Sequence, residues 1–462
     1  MLTMPLSHEV RIYNLTSRAN RRRGHGVRWH VAGRQFSKWF EYRAQADSYR
    51  SRLMQALRRG EGFDTGTGQP ESVVRERQSV TWYELACRYV DLKWPHAAAK
   101  TRTSTADALA TVTPVMVASD RGKPDSAALR AALYGWAFHK ARRETVILDG
   151  AAKAALAWVR DNSLKITALD ENERRSALIR RALDTLALTL DGRPAAATTV
   201  ARKRAVFYGV LGYAVELDIL PANPIDKVTW KAPDVAEEVD RRVVASPRQV
   251  RALLAAVAED HPELAAFFGC LYYGFLRPGE AVLLREANCA SLPESGWGRL
   301  LLSGNAPRVG SAWTDTGTPH DERHLKHRAR KTTRPVPIPP ELVRLLRQHL
   351  ERFGATTDGR LFRGSRGGLL SESVYARAWQ QAREKALTPA QADSPLAGRP
   401  YDLRHSGVTL ALNAGVPAPE VARRAGHSVE VLLRVYAGCV DGQDRLWNSR
   451  IDDALRDDDE NT

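Results

Sequence analysis

The residue types near the end of the sequence are those that cleavage of a phosphodiester would need. Arg404 lies in "DLRH", His427 lies 23 positions later in "GHS", and Tyr436 lies 32 positions after the arginine. Such a reaction requires a nucleophile, positive charge near the non-bridging oxygens and hydrogen-bond donors to the phosphate. A tyrosine, an arginine and a histidine can fill these roles if the fold brings them together.

The net charge indicates a polyanionic partner. The 462 residues carry a formal charge of +16, and residues 1–60 hold 13 Lys and Arg against three acids. Basic surface releases counterions from nucleic acid on binding, so we expect DNA as the partner. The sequence has no apolar run of membrane length, no lipidation motif and no apolar signal-peptide core, so we expect no membrane partner and a cytoplasmic, nucleoid-associated protein.

The periodicity around Tyr436 leaves two interpretations open. In "GHSVEVLLRVYAG" the residues Val429, Leu432, Leu433 and Tyr436 fall on one face of a helix. Alone, this pattern is typical of a core tyrosine on an amphipathic helix. The alternative is that Tyr436 belongs to a packed helix and still presents its hydroxyl to a phosphate.

Breaks in the pattern divide the chain into three predicted domains. Residues 1–65 predict a small sheet plus a helix that ends at Gly60, and "DTGTGQPESVV" then predicts a linker. Residues 78–232 have helical periodicity throughout. Residues 244–462 open on an N-cap serine followed by proline and contain a small sheet around "RPVPIPP". We therefore expect a mainly α fold with small β elements, of the α+β class.

Four clusters in the last domain together resemble the tyrosine recombinases, the phage-integrase family of site-specific DNA recombinases. "YGFLRPGEAVLL" is similar to the family's first arginine box, with Arg277 as the arginine and Glu280 as the acid three residues on. "YDLRHSGVTLALNAGV" is similar to the second box and matches it at Arg404 and the following His405.

The other two clusters complete the resemblance in order and spacing. The hairpin "LKHRARKTTRPVPIP" stands where the family carries a catalytic lysine. This hairpin is longer than usual, and we favour Lys326 over Lys331 as that lysine. "AGHS" supplies His427, and a step of nine residues from it reaches the nucleophile position at Tyr436.

One position departs from the family pattern. Three residues before the second arginine the family often has histidine, whereas this chain has Tyr401. A phenol is a poorer proton acceptor at neutral pH than an imidazole. Two roles therefore stay open for Tyr401: it orients Tyr436 or the phosphate by hydrogen bonding, or it is a packed aromatic residue at a helix start.

The resemblance implies DNA strand cleavage through a 3′-phosphotyrosyl intermediate, for integration and excision of a mobile element. Arg277, Arg404 and His427 would bind the phosphate, and Lys326 would protonate the leaving 5′ oxygen. We expect no cofactor because the bond energy is conserved, and no metal because the arginines supply the positive charge. The alternatives are a type IB-like DNA topoisomerase and a DNA-binding regulator that has lost catalysis.

The basic N-terminal domain resembles the arm-type DNA-binding domain of larger integrases. We expect Arg28, Arg34 and Lys38, on or near its hairpin, to contact DNA. The helical second domain resembles the core-type DNA-binding domain by position and pattern. The partners implied are double-stranded DNA attachment sites, a homotetramer assembled on paired sites, and an excision factor or a DNA-bending host protein as further candidates.

Overall fold

The computed structural model describes residues 5–18, 23–74, 80–145, 147–170, 172–234, 238–324 and 333–439, with residues 448, 449, 451, 452 and 455 near the end of the chain. Two compact units are distinguished by their internal contacts. One consists of Met1–Ala97 with Thr101–Asp234, and the other of Ala98–Lys100 with Val235–Thr462. The predicted α+β class, mainly helical with small sheets, is confirmed.

The first unit opens on two small antiparallel sheets. The larger sheet contains β2 (Val10–Ile12), β3 (Thr16–Ser17), β4 (His25–Val31) and β5 (Arg34–Phe40), and the smaller one pairs β1 (Leu6–Ser7) with β6 (Phe63–Asp64). The larger one is the N-terminal sheet. Strands β4 and β5 form the predicted hairpin, and both residues of its turn, Ala32 and Gly33, have positive φ. A two-residue turn of this kind matches the right-handed twist of the paired strands.

One face of this sheet is covered by a helix, α1 (Arg43–Arg58), which ends before Gly60 as predicted. Alternate residues of β4 point toward it, so Val27, Trp29 and Val31 are buried. The other face of the sheet carries the intervening polar residues.

The segment predicted as a linker is in fact packed against this sheet. The indole of Trp29 donates a hydrogen bond to the Gly68 carbonyl at 2.5 Å, and the Gln69 amide donates one to the Tyr49 hydroxyl at 2.7 Å. Gly68 has φ +70°, and a Cβ there would lie 2.5 Å from the Phe36 ring. The glycine and proline content of the segment therefore specifies a tight turn rather than a free linker, and the linker prediction is wrong for residues 64–70.

The rest of the first unit is helical, as the periodicity predicts. Thr81 caps its first long helix by accepting from the Glu84 amide, while the Glu84 carboxylate accepts from the Thr81 amide. The helices are α2 (Trp82–Lys93), α3 (Ala99–Val112), α4 (Ser126–Ala132), α5 (Lys140–Thr145), α6 (Gly150–Asn162), α7 (Asn172–Leu186) and α8 (Ala197–Glu216), and Leu133–Ala137 forms a π-helical turn after α4. Among the described residues, no helix is long and apolar enough to cross a membrane.

The second unit is built around one apolar helix, α10. Ser246 caps the helix before it with a capping box through Gln249, as the Ser-Pro pair predicts. The helices are α9 (Pro247–Asp260), α10 (Pro262–Tyr273), α11 (Pro278–Val282), α12 (Pro340–Phe353), α13 (Glu372–Ala386), α14 (Pro389–Ala392), α15 (Asp402–Asn413), α16 (Ala418–Ala425) and α17 (Val429–Tyr436). Nine of the twelve residues of α10 are buried, so the other elements pack around it.

The predicted small sheet lies in this unit. Its strands are β7 (Cys289–Ser291), β8 (Gly298–Leu302) and β11 (Arg334–Ile338), with the order β11-β8-β7, and a separate pair is formed by β9 (Gly304–Asn305) and β10 (Arg323–His324). In β11 the residues Arg334, Val336 and Ile338 are all buried. An arginine therefore points inward in phase with two apolar side chains.

Only part of the apolar stripe that the sequence predicts for helix α17 is buried. Leu432 and Tyr436 are buried, whereas Val429 and Leu433 are exposed. The buried pair belongs to a small cluster with Phe275, Val408 and residues of α16, separate from the large core around α10.

Candidate active site

Four of the residues singled out by the resemblance converge in the second unit from four parts of the chain. Arg277 precedes α11, Arg404 lies in the first turn of α15, His427 lies between α16 and α17, and Tyr436 ends α17. These segments meet because α15, α16 and α17 pack in sequence around Phe275, in the segment between α10 and α11.

Glu280 holds the first arginine in place. Its carboxylate accepts from the Arg277 backbone amide at 2.8 Å and from Arg277 Nη1 at 2.9 Å. Arg277 Nη2 donates to the Gly426 carbonyl at 3.0 Å, and its side chain remains 28% exposed. Two of its five N–H groups are used in this way, so the guanidinium can still donate outward to an anion.

A second arginine, which the sequence reasoning missed, shares the same carboxylate. Arg334 Nη2 and Nη1 lie 2.8 and 3.1 Å from the two oxygens of Glu280, and both side chains are 2% exposed. Burial alone would raise the pKa of Glu280, but Arg334, Arg277 and Arg404 together hold that pKa below its usual value. The carboxylate is therefore charged whenever the protein is folded near neutral pH.

The turn between α16 and α17 fits closely over Arg334. Arg334 Nη1 donates to the Ala425 carbonyl at 3.3 Å. Gly426 has φ +67°, and a Cβ at this position would lie 1.9 Å from Arg334 Nη1. Glycine is required here both for the left-handed backbone and for the approach of the guanidinium.

Arg404 is enclosed. It is fully buried, and its terminal nitrogens donate to the carbonyls of Phe275 and Ala425 and to Nε2 of His427. Burial and the nearby Arg277 lower its pKa to about 10, which leaves it charged at neutral pH. Nη1 and Nη2 of Arg404, the predicted phosphate ligand, are therefore both engaged with protein groups. Its Nε has no partner among the described residues.

The contact with Arg404 defines the protonation of His427. An arginine nitrogen can only donate, so His427 Nε2, 2.7 Å away, must accept. Burial and the neighbouring arginines lower the pKa of His427 to about 3, so the ring is neutral and its proton is on Nδ1. Nδ1 is buried without a partner among the described residues. His427 thus offers one N–H to a ligand.

The Tyr436 hydroxyl contacts a histidine that was not among the predicted catalytic residues. It lies 2.9 Å from Nδ1 of His405, and Tyr436 is 1% exposed. Burial raises the pKa of Tyr436 well above its usual value, although Arg404 and Arg277 act in the opposite direction. Tyr436 is therefore a protonated phenol in this structure, close to two guanidinium groups.

Tyr401 is a half-buried residue immediately before α15. Its ring packs edge-on against His405 at 5.0 Å between centroids, whereas the hydroxyl of Tyr436 contacts His405 itself. Lys326 and Lys331 lie outside the described residues. Among the described residues, no group of three or more His, Cys, Asp and Glu side chains could hold a metal ion, and the four cysteines are free.

The predicted DNA contacts of the first unit do not share one face of the N-terminal sheet. Lys38 pairs with Val27 and Arg34 with Val31, so both side chains lie on the face covered by α1. Lys38 also makes an ion pair with Asp218. Arg28 pairs with Ser37 and lies on the open face.

The open face is basic and aromatic. Arg11 pairs with His30 across β2 and β4, and the Arg18 guanidinium lies 4.3 Å from the centre of the Trp39 ring. Together with Arg28, these residues form the open basic face, a name used below for Arg11, Arg18, Arg28, His30 and Trp39.

The chain is similar in sequence to integrases of mycobacterial phages. The chain is 26% identical over 234 residues to the integrase of Mycobacterium phage D29, covering 50% of this chain and 56% of that integrase. It is 25% identical over 242 residues to the integrase of Mycobacterium phage L5, covering 52% and 58%. The chain thus spans a little over half the length of these curated relatives. No protein-family model matches it.

Two solved structures match the chain at low sequence identity and with TM-scores below 0.5. The Tn1549 transposon integrase in complex with circular intermediate DNA has a TM-score of 0.45 and 16% identity, covering 68% of this chain and 97% of that one. A lambda integrase tetramer bound to a Holliday junction has a TM-score of 0.43 and 15% identity, covering 90% and 95%.

The shared carboxylate generates a stability prediction. Glu280→Gln leaves the buried Arg334 without a counter-charge, and breaking a buried pair from one side costs about 3–5 kcal/mol. Hydrogen exchange of the α10 amides should report this loss of stability. Glu420→Gln, which removes a partly exposed partner of Arg423 and Arg424, is the matched control and should cost less than about 1 kcal/mol.

The same prediction has a pH dependence. The pKa of Glu280 is lowered in the folded chain, so its stabilising contribution is present above the ordinary value of 4.5 and is lost as pH falls through the folded-state value. The difference between Glu280→Gln and the unmodified chain should therefore shrink below that pH. Equal, small effects of both substitutions at neutral pH would show that Glu280 is not essential to the site.

Proposed function

We propose that this chain belongs to the tyrosine recombinase family and is a site-specific DNA recombinase that cuts and rejoins double-stranded DNA attachment sites to integrate and excise a mobile element; its similarity to phage integrases supports this proposal. The observation that carries the proposal is the surplus of positive charge around a buried tyrosine hydroxyl. Arg277 and Arg334 both contact the Glu280 carboxylate, and Arg404 and Arg277 lie near the Tyr436 hydroxyl.

This surplus suits a phosphodiester. Three guanidinium groups against one carboxylate leave two positive charges in a largely buried site, where an anion is stabilised more strongly than in solvent. Two donors, Arg404 Nε and His427 Nδ1, are buried without partners among the described residues. A phosphate oxygen is an acceptor for such donors, and the 28% exposed Arg277 provides the outer part of the same cradle.

The proposed reaction uses these residues together with Lys326. The Tyr436 oxygen attacks the scissile phosphorus, the P–O5′ bond breaks, and a 3′-phosphotyrosyl linkage and a free 5′ hydroxyl result. Lys326 donates the proton to the leaving oxygen. Attack of a 5′ hydroxyl on the phosphotyrosyl linkage restores both the phosphodiester and the phenol. Because bond energy is conserved in both steps, the reaction uses no nucleotide cofactor.

The assembly follows from the chemistry. Exchange between two duplexes breaks four strands, and each break uses one tyrosine, so a homotetramer on paired sites is the assembly that we propose. An excision factor or a DNA-bending host protein remains a predicted further partner, as does association with the nucleoid. The type IB-like topoisomerase and the non-catalytic regulator are the competing functions, since each retains DNA binding.

The open basic face is the part of the first unit that we propose as a second DNA-binding surface. Exposed arginines bind backbone phosphates, and an arginine stacked on an aromatic ring is held in a fixed position with less loss of side-chain freedom. Arg28 belongs to this face. Arg34 and Lys38 lie on the opposite face of the sheet, which α1 covers. Their contacts with DNA remain a prediction.

The nucleophile is tested by Tyr436→Phe. This substitution removes one oxygen and keeps the ring packed, so DNA binding should persist while the covalent protein–DNA adduct disappears. The assay is recovery of SDS-resistant complexes from supercoiled plasmid that carries the DNA flanking the coding sequence. Tyr375→Phe, a buried tyrosine of α13, is the control and should retain the adduct. An adduct with the Tyr436→Phe protein would exclude this tyrosine as the nucleophile.

The same assay separates the competing functions. A recombinase forms the adduct and joins strands from two sites. A topoisomerase forms the adduct and relaxes the plasmid without joining sites. A regulator binds the DNA and forms no adduct.

The general acid is tested with sulfur in place of the leaving 5′ oxygen. A thiolate leaves without a proton, so Lys326→Ala should cleave this substrate at close to the unmodified rate and the ordinary substrate about 10²-fold more slowly or worse. Lys331→Ala is the matched variant. If Lys331→Ala is the variant that the sulfur substrate rescues, the role belongs to Lys331.

The open basic face is tested by charge reversal. Arg28→Glu should lower integration between two attachment sites by about tenfold or more and leave adduct formation at a single site unchanged. Arg52→Glu, on the exposed side of α1, is the control and should integrate at the unmodified rate. The face would lose its assigned role if Arg28→Glu integrated normally or if both variants were equally impaired.

A further inference from the structure

We infer that His405 is the proton acceptor for the Tyr436 hydroxyl, a catalytic role in the cleavage reaction proposed above, on which this inference rests. The hydroxyl and Nδ1 of His405 lie 2.9 Å apart, and the ring centroids are 5.7 Å apart. The two residues are brought together by the packing of α15 against α17, although they lie 31 positions apart in sequence.

The other groups near Tyr436 are already engaged as donors or acceptors elsewhere. His427 accepts from Arg404 through Nε2 and carries its proton on Nδ1, so it can donate but not accept. The carboxylate of Glu280 is occupied by Arg277 and Arg334. Among the described residues, Nδ1 of His405 is therefore the nitrogen that contacts the Tyr436 oxygen, and the proposal assigns the ring proton to Nε2 so that Nδ1 accepts.

Asp402 and Tyr401 do not replace it. The Asp402 carboxylate accepts from the Arg399 amide at 2.8 Å and from Arg399 Nη2 at 3.1 Å. The Tyr401 ring packs edge-on against the His405 ring. Tyr401 thus limits the orientation of the imidazole, while the histidine makes the contact with the nucleophile.

The surroundings keep His405 neutral. Burial lowers its pKa to about 4; Asp402 opposes this effect, and Arg404 and Arg399 add to it. The other described titratable groups that face it are Tyr401 from its own end of α15, and His427 and Tyr436 from across the site. The lone pair of Nδ1 is therefore free over the whole neutral range.

The proton moves as the new bond forms. As the Tyr436 oxygen bonds to phosphorus, its proton passes to Nδ1 of His405, and the P–O5′ electron pair leaves with the 5′ oxygen, which takes a proton from the general acid. The imidazolium so formed lies next to the negatively charged phosphoryl group, which stabilises it. In the reverse step the imidazolium returns the proton to the phenolate as the 5′ hydroxyl attacks.

The experiment measures single-turnover adduct formation by the full chain as a function of pH. The probe is a duplex spanning the junction between the mobile element and its flanking DNA, nicked so that the 5′ fragment diffuses away. His405→Asn retains an acceptor oxygen near the position of Nδ1 but has no basicity. His261→Asn, which replaces a histidine of the same unit that contacts Gln381, is the matched control.

We expect His405→Asn to slow adduct formation by about 10²-fold or more near neutral pH, with DNA binding unchanged. Its rate relative to that of the unmodified chain should rise about tenfold per pH unit, because the reaction then depends on ionised Tyr436. His261→Asn should match the unmodified chain. His405→Ala, measured in parallel, should show the same rise in relative rate with pH. If His405 only positioned the Tyr436 ring, replacing it would leave the pH dependence of the rate unchanged.

Two results would overturn the inference. If His405→Asn forms adduct at nearly the unmodified rate, or more slowly with an unchanged pH profile, His405 positions Tyr436 without accepting its proton, and the proposed function is unaffected. If the unmodified chain forms no adduct on this duplex or on plasmid, the proposed function fails and the inference fails with it.

Discussion

The site depends on the buried carboxylate of Glu280. It fixes the backbone before α11, neutralises part of the charge of Arg277, and holds Arg334 at the start of β11. Through these two arginines it also controls the turn between α16 and α17, because Arg334 and Arg277 donate to the carbonyls of Ala425 and Gly426. Three distant segments are thereby held together by one charged group whose desolvation is offset only while all of them are in place.

The two histidines of the site show how hydrogen-bond partners assign opposite roles to the same side chain. Both are half-buried and both are neutral, since burial lowers each pKa. His427 is next to an arginine, so its free nitrogen is a donor. His405 is next to a phenol, so its nitrogen can accept. A phosphate held by donors and a nucleophile held by an acceptor are what an in-line attack needs at its two ends.

Sequence reasoning reached the α+β fold, the hairpin and the meeting of Arg277, Arg404 and Tyr436, because periodicity and ordered motifs carry that information. Arg334 could have been found, since it is in phase with two apolar residues of its strand. The contact of His405 could not, because it depends on how α15 packs against α17 rather than on spacing. The packed segment after β6 was predicted to be a linker because glycine and proline occur in tight turns and in linkers alike.

Tyr436, the proposed nucleophile, belongs to a smaller cluster than the large core of the second unit. Tyr436 and Leu432 are held by Phe275, Val408 and the apolar side of α16, outside the core built around α10. Fewer buried contacts secure this cluster, so we expect its opening to cost less free energy than global unfolding. On warming, the cluster that holds Tyr436 would then open before the large core unfolds. The chain would lose activity at a lower temperature than that at which it denatures.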